Sequence, residues 1–197
     1  MLSPPRAIEP ALAEAVRAYR DGGEIAGLLA SLEAIAASAT AERLIAAAEP
    51  YRQIPEVAGP LYERIVAERP TDARALVILG NAYWLTGRGP EVVGELADRA
   101  IAADPGNRGA WHLWALAEPA TRARVARWQQ VVARYPDDDL ALAVLADNAA
   151  SLAGGETDRE ALALAIATYE RLLERTTAPA QREAVETALR TLRGWRL

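Results

Sequence analysis

Few residues in this sequence could carry out chemistry. His112 is the only histidine among 197 residues, and cysteine and lysine are both absent. A lone imidazole has no second histidine or thiolate with which to build a zinc site or a proton relay. Disulfides, cysteine nucleophiles, Schiff-base lysines and a lysine-containing phosphate loop are excluded as well. We therefore predict no catalytic residues, no cofactor and no metal site, and we expect a chain that is not an enzyme.

Two short motifs resemble ligand-binding loops but lack essential parts. The run Asp137-Asp138-Asp139 is acidic, yet a calcium loop needs oxygen ligands spread through a turn that contains glycine. We interpret this run as helix capping. Gly87-Arg88-Gly89 follows no predicted strand, so it is interpreted as a turn between helices and not as a nucleotide-binding loop.

Composition and charge narrow the classes of partner. Hydrophobic residues make up 51% of the chain, the net charge is -5, and acidic and basic residues are interspersed. This balance gives no basic patch for a nucleic acid. No run approaches 18 consecutive apolar residues, and the first residues do not resemble a secretory leader. We expect a cytoplasmic chain without membrane insertion, and the richness in alanine and arginine is typical of a GC-rich, bacterial-like genome.

A repeat emerges when the chain is aligned with itself. Four segments align without gaps: LYERIVAERP (61–70), LADRAIAADP (96–105), RWQQVVARYP (127–136) and TYERLLERTT (168–177). Their starts are separated by 35, 31 and 41 residues (96 - 61, 127 - 96 and 168 - 127). Each carries apolar residues at helical spacing, and another helical stretch precedes each of the last three. Each unit is thus predicted to be a pair of helices joined by a short turn.

These residues resemble the tetratricopeptide repeat (TPR) family, whose signature is W-x-x-L-G-x-x-Y, then A-x-x-x-F, then P. The best copy has Leu76, Leu79, Gly80, Tyr83, Ala100 and Pro105. The resemblance implies an all-α fold, an α-α superhelix or solenoid of stacked antiparallel helical hairpins, that binds proteins. Two departures are that Glu118-Pro119 shortens one unit and Gly154-Gly155-Glu156 lengthens the last.

The pattern predicts three parts. Residues 1–40 form a helical pair that is either a cap or a degenerate repeat, residues 41–178 form the TPR-like array, and residues 179–197 form a capping helix. The predicted core faces of the first pair are Ile8, Leu12, Val16 and Tyr19, then Ile25, Leu28, Leu29, Leu32 and Ile35. Pro60 is expected in the opening turn of its helix.

Small residues and tryptophans are predicted to mark the packing. Gly80, Ala115 and Ala146 are expected where the second helix of the same hairpin crosses the first. Glycine in a helix costs roughly 1 kcal/mol relative to alanine, so a close crossing would explain Gly80. Trp111, Trp114 and Trp128 are predicted to lie in the core.

The partner surface is predicted on the inner, concave face of the array. Trp84 lies about 100° of helix rotation from Tyr83, which turns it toward that groove. The predicted partner-binding residues are Arg74, Val77, Asn81, Trp84, His112 and Asp147. The simpler alternative for His112 is a surface or half-buried histidine. Asn81 matches the asparagine with which some family members hold a C-terminal carboxylate, but Val77 stands where those members have lysine, so only part of that carboxylate-binding motif is present.

Three functions remain open from the sequence. The first is a noncatalytic scaffold or adaptor that holds a peptide or protein surface in the concave groove. The alternative is a self-assembling structural protein, a homo-oligomer formed through the apolar helix between Ile25 and Ile35. An enzyme is the least supported, because no nucleophile and base occur at a recognisable spacing.

Overall fold

The structure, a computed structural model, describes residues 8–197. Across that range the regular structure is helical and contains no strand. The α-helices are α1 (Ile8–Arg20), α2 (Ile25–Ala37), α3 (Ala41–Ala48), α4 (Pro55–Glu68), α5 (Ala73–Leu85), α6 (Pro90–Ala103), α7 (Arg108–Leu116), α8 (Thr121–Arg134), α9 (Asp139–Glu156), α10 (Arg159–Arg175) and α11 (Pro179–Arg193). A 3-10 turn, Glu49–Tyr51, follows α3.

The chain divides into two compact units, one ending at Leu113 and one beginning at Trp114. In the first unit, α1 packs on α2, α3 on α4 and α5 on α6, while α2 lies against α4 and α4 against α5. In the second unit, α8 packs on α9, α9 on α10 and α10 on α11. Successive helices therefore pair with their neighbours in sequence. The expected fold class, an all-α array of stacked helical hairpins, is confirmed.

The same type of N-cap begins α5, α7 and α9, the first helices of three successive pairs. Asp72, Asn107 and Asp138 each accept a hydrogen bond through a side-chain oxygen from the backbone N–H three residues later, at 2.9, 3.2 and 3.0 Å. Each cap follows a proline by two residues. The caps satisfy amide groups that have no partner inside the helix. Their spacing of 35 and 31 residues (107 - 72 and 138 - 107) reproduces the predicted period.

The carbonyl of each turn proline is held by a side chain. Arg99 donates to Pro70 at 3.2 Å, and Arg171 donates to Pro136 at 2.6 Å. At Pro105 the donor is the indole of Trp111, at 2.9 Å. Trp111 is therefore half-buried over a turn, and its predicted core position is wrong. An indole N–H needs an acceptor, and this turn supplies one.

Gly80 is covered by a different helix from the one predicted. A Cβ atom placed on Gly80 would collide with Cδ2 of Leu113 on α7, so the close neighbour belongs to the next hairpin and not to the second helix of the same hairpin. One turn earlier, a Cβ on Gly109 of α7 would lie 3.0 Å from Cγ1 of Val77. Since the contacts advance along α5 and α7 in the same direction, these two helices run parallel, as stacked hairpins require.

The shortened α7 ends in the second unit under two arginines of α8. Nη1 of Arg127 donates to the carbonyl of Trp114 at 2.8 Å, and Nη1 of Arg124 donates to that of Glu118 at 2.8 Å. The first bond satisfies a carbonyl in the last turn of α7, and the second satisfies a carbonyl in the turn that follows it. The Arg127 guanidinium also lies 4.5 Å from the centre of the Trp114 ring. Trp114 is thus half-buried against a cation, which corrects its predicted core role, whereas Trp128 is buried as predicted.

Three other expectations can be compared with the helices. Ile25 and Leu29 were expected in the core of α2 but are 44% and 43% exposed. Pro60 is the sixth residue of α4, and Pro55 occupies the opening turn instead. On α11, the apolar residues Val185, Leu189 and Leu192 are buried. The division into parts 1–40, 41–178 and 179–197 stays a prediction.

We expect Gly80→Ala to be less stable than Gly59→Ala, although both replace a buried helical glycine. Both gain helix propensity, about 1 kcal/mol at Gly80 and less at Gly59, because the new methyl at Gly59 would lie beside the ring of Pro60. At Gly59 the nearest atom to the new methyl would be Cβ of Ala82 at 3.9 Å, which is ordinary contact, whereas at Gly80 it would collide with buried Leu113. Overpacking of this kind costs about 1–3 kcal/mol.

Urea unfolding followed by circular dichroism measures the difference between the two variants. Leu113→Ala should lower the free energy of unfolding less in the Gly80→Ala variant than it does in wild type, because the new methyl partly fills the space that the leucine leaves. Equal stability of the two glycine variants would contradict close packing at residue 80.

Candidate binding surface

Helix α5 has one buried side and one exposed side. Ala75, Leu76, Leu79 and Ala82 are buried and form the side that joins the core of the first unit. Arg74 and Asn81 lie seven residues apart, which places them within about 20° of each other on the opposite side. Both are exposed. The core packing of α5 therefore decides which of its residues a partner can reach.

Two large apolar residues are exposed at the end of this side. Trp84 is 38% exposed, and the following residue, Leu85, is 69% exposed. We call Arg74, Asn81, Trp84 and Leu85 the α5 face. Leu85 is not among the residues predicted from the sequence, although it lies four residues after Asn81 and so on the same side of the helix.

Arg74 already has a partner. Its Nη2 donates to both carboxylate oxygens of Glu49, at 2.7 and 2.8 Å, and Arg52 donates to the same carboxylate at 2.9 Å. The Arg74 side chain is 61% exposed, and pairs this exposed contribute at most about 1 kcal/mol. A partner carboxylate could therefore replace Glu49 at small cost. The sequence alone does not reveal the pair between Arg74 and Glu49, because these residues are 25 positions apart and only the fold brings them together.

The other predicted site residues lie in different surroundings. Val77 is half-buried against Gly109, so packing between α5 and α7 accounts for much of its surface. His112 is half-buried in α7. Asp147 belongs to the second unit, where it accepts a hydrogen bond from the hydroxyl of Tyr169. The structure thus brings Arg74, Val77, Asn81 and Trp84 onto one helix. A role in partner binding stays a prediction for all six.

Tyrosine–carboxylate pairs link neighbouring helices in both units. The hydroxyl of Tyr83 on α5 donates to Oε1 of Glu63 on α4 at 2.8 Å, and Arg88 lies 5.1 Å from the centre of the Tyr83 ring. Burial and then this hydrogen bond raise the pKa of Tyr83 to about 12. Burial and the bond to Asp147 likewise raise the pKa of Tyr169. Both tyrosines are therefore neutral at neutral pH, where their hydroxyl groups link neighbouring helices and do not act as acids.

Comparison with known proteins gives structural relatives and no sequence relatives. No protein-family model matches the sequence, and no curated protein matches it. A crystal structure of MamA aligns with a TM-score of 0.58 and 17% identity over 81% of this chain and 92% of that one. TTC0263, a thermophilic TPR protein in Thermus thermophilus, aligns with a TM-score of 0.57 and 18% identity over 94% and 98%. The chain has a TPR-like fold. The resemblance inferred from the repeat residues is confirmed at this level.

The TPR-like chain shows no assembled metal site within residues 8–197. In that range no group of three or more histidine, cysteine, aspartate or glutamate residues is placed to hold a metal ion. None of the helices in the same range has both the length and the apolar character needed to cross a membrane.

The pair between Tyr83 and Glu63 predicts a change in stability at high pH. The folded state raises the pKa of Tyr83 from 10.0 to about 12, so it holds this proton more tightly than the unfolded chain. The resulting stabilisation is complete below pH 10.0 and is lost as the pH rises to about 12. Tyr83→Phe cannot ionise, so wild type should lose stability relative to this variant across that window.

Phenolate absorbance during an alkaline titration gives a second measurement. Tyr83→Phe should reduce the absorbance gained near pH 12. A Tyr83→Phe titration identical to wild type in this range would contradict the raised pKa.

Proposed function

We propose that this TPR-like chain is a noncatalytic protein-interaction scaffold or adaptor that binds an extended or helical segment of a partner protein along the α5 face. The observation that carries the proposal is the exposure of Trp84 and Leu85 directly beside Asn81 on a helix whose other side is fixed in the core. The structural likeness to a TPR protein supports a scaffold and leaves the partner open.

The chemistry of the α5 face suits a peptide. Tryptophan is among the residues that contribute most to protein interfaces, since its ring buries a large area at a low cost in conformational entropy. The Asn81 amide both donates and accepts, so it can bond to a peptide group of any sequence. Leu85 extends the apolar contact. The face therefore offers apolar contact area and one backbone-reading group, with no group suited to transferring a proton or attacking a substrate.

The pair between Arg74 and Glu49 gives this face a means of selecting charge. In the free chain, Glu49 neutralises Arg74. A partner carboxylate that displaces Glu49 would gain a charge-assisted hydrogen bond, while Glu49 would keep its pair with Arg52. A partner cation gains little beside Arg74. We therefore infer a preference for segments that combine an apolar residue with an acidic one.

Affinity capture compares the intact chain with Asn81→Ala/Trp84→Ala. Proteins captured by the intact chain and lost from the double variant are then purified, and their affinities are measured directly. Trp84→Ala alone should weaken such a partner by at least about 1 kcal/mol while circular dichroism stays unchanged.

Leu140→Ala is the matched control, because Leu140 is a large apolar residue that is 60% exposed on α9 in the second unit. It should leave the affinity unchanged. If Trp84→Ala binds a validated partner as tightly as wild type does, the α5 face is not the binding surface.

A further inference from the structure

Helix α2 exposes an almost uncharged surface. Of its 13 residues, eight are exposed, and Glu33 is the only charged residue among them. The others are Ile25, Ala26, Gly27, Leu29, Ala30, Ala34 and Ala37. Ile25 and Leu29 are large, and the small residues beside them leave room for a second helix to approach closely. Exposed apolar residues that lie together, unlike those scattered singly, mark interaction sites.

A groove runs beside this surface. It has a volume of about 680 Å³, lies between α2 and α4, and has Leu29, Ala36, Ala37 and Pro60 as its apolar lining. Helix α2 is thus a ridge next to a groove. Two identical surfaces of this shape can fit together about a two-fold axis, because the ridge of each copy enters the groove of the other.

The charged residues at the edge of the groove are complementary to themselves. Glu33 of α2 and Arg88, from the turn between α5 and α6, both line the groove, together with Glu63 and Arg64 of α4. Within residues 8–197 Glu33 has no ion-pair partner. Arg88 is 61% exposed and reaches Glu63 only at 3.7 Å. In a two-fold pairing every contact occurs twice. The unpaired carboxylate of each copy can therefore pair with the weakly paired guanidinium of the other copy.

We propose that two copies of this chain associate through α2, with Leu29 of each copy in the α2–α4 groove of the other and Glu33 of each facing Arg88 of the other. A second copy matches this surface better than an unrelated helix does, because the surface itself carries both Glu33 and the oppositely charged Arg88. This association uses none of the α5 face and does not depend on peptide binding there.

Sedimentation velocity over a wide concentration range tests the association. Wild type should shift toward twice the 21.1 kDa mass of one chain as the concentration rises. Leu29→Glu and Ile25→Glu should each raise the dissociation constant of the dimer at least tenfold, with unchanged circular dichroism. Leu140→Glu places the same charge on an exposed leucine of the second unit and should associate like wild type.

Charge reversal distinguishes this pairing from simple hydrophobic association. Glu33→Arg and Arg88→Glu should each weaken the dimer, and Glu33→Arg/Arg88→Glu should recover most of the loss. A wild type that remains monomeric at every concentration, a Leu29→Glu variant that associates normally, or a double reversal without recovery would each overturn the proposal. The Asn81→Ala/Trp84→Ala variant should associate like wild type, so failure of peptide binding and failure of dimerisation are separable.

Discussion

The contact between Leu113 and the bare backbone of Gly80 is the constraint on which the first unit depends. Gly80 gives up about 1 kcal/mol of helix propensity, and the buried leucine that it admits contributes about 1.5–3 kcal/mol. The leucine burial outweighs the lost helix propensity only if α5 and α7 lie close together over several residues. Gly109 permits this close approach one turn earlier, where its bare backbone faces Val77. Once α5 is fixed between the core and α7, the side that carries Arg74 and Asn81 is the one left to solvent.

Arginine side chains satisfy many of the acceptors at the helix ends of this chain. Arg127 donates to the carbonyl of Trp114 in the last turn of α7, and Arg175 donates to the Asp139 carboxylate at the start of α9 and to the carbonyl of Asp137 just before it. A planar guanidinium with five donors can serve several acceptors at once, which an ammonium group does less well. The shortened α7 can end within nine residues because such side chains satisfy its last carbonyls. The absence of lysine is therefore compatible with a well-capped helical array.

Periodicity and turn chemistry predicted the paired helices and the helix cap within Asp137-Asp138-Asp139, because each of these depends on residues close in sequence. Contacts between helices were harder to predict. The apolar spacing of α2 includes Leu29, but spacing alone cannot tell a residue that meets the core from one beside it. Trp111 follows a helical pattern, and its place is decided by an indole donor that reaches a proline carbonyl in the preceding turn. For the candidate site, Asn81 and Trp84 were found from helical rotation, whereas the pairing of Arg74 with Glu49 required the fold.

The two exposed surfaces of the first unit differ in a way that suits different partners. The α5 face mixes an aromatic ring, an amide and an exchangeable ion pair, and it stays well solvated without a ligand. Such composition is typical of interfaces that form and dissociate. The α2 surface has one charged residue among its eight exposed residues, and the hydration of its apolar side chains is unfavourable. Covering a surface of that kind removes apolar area from water, and in the proposed pairing a second copy supplies both an apolar ridge and charges opposite to those of Glu33 and Arg88.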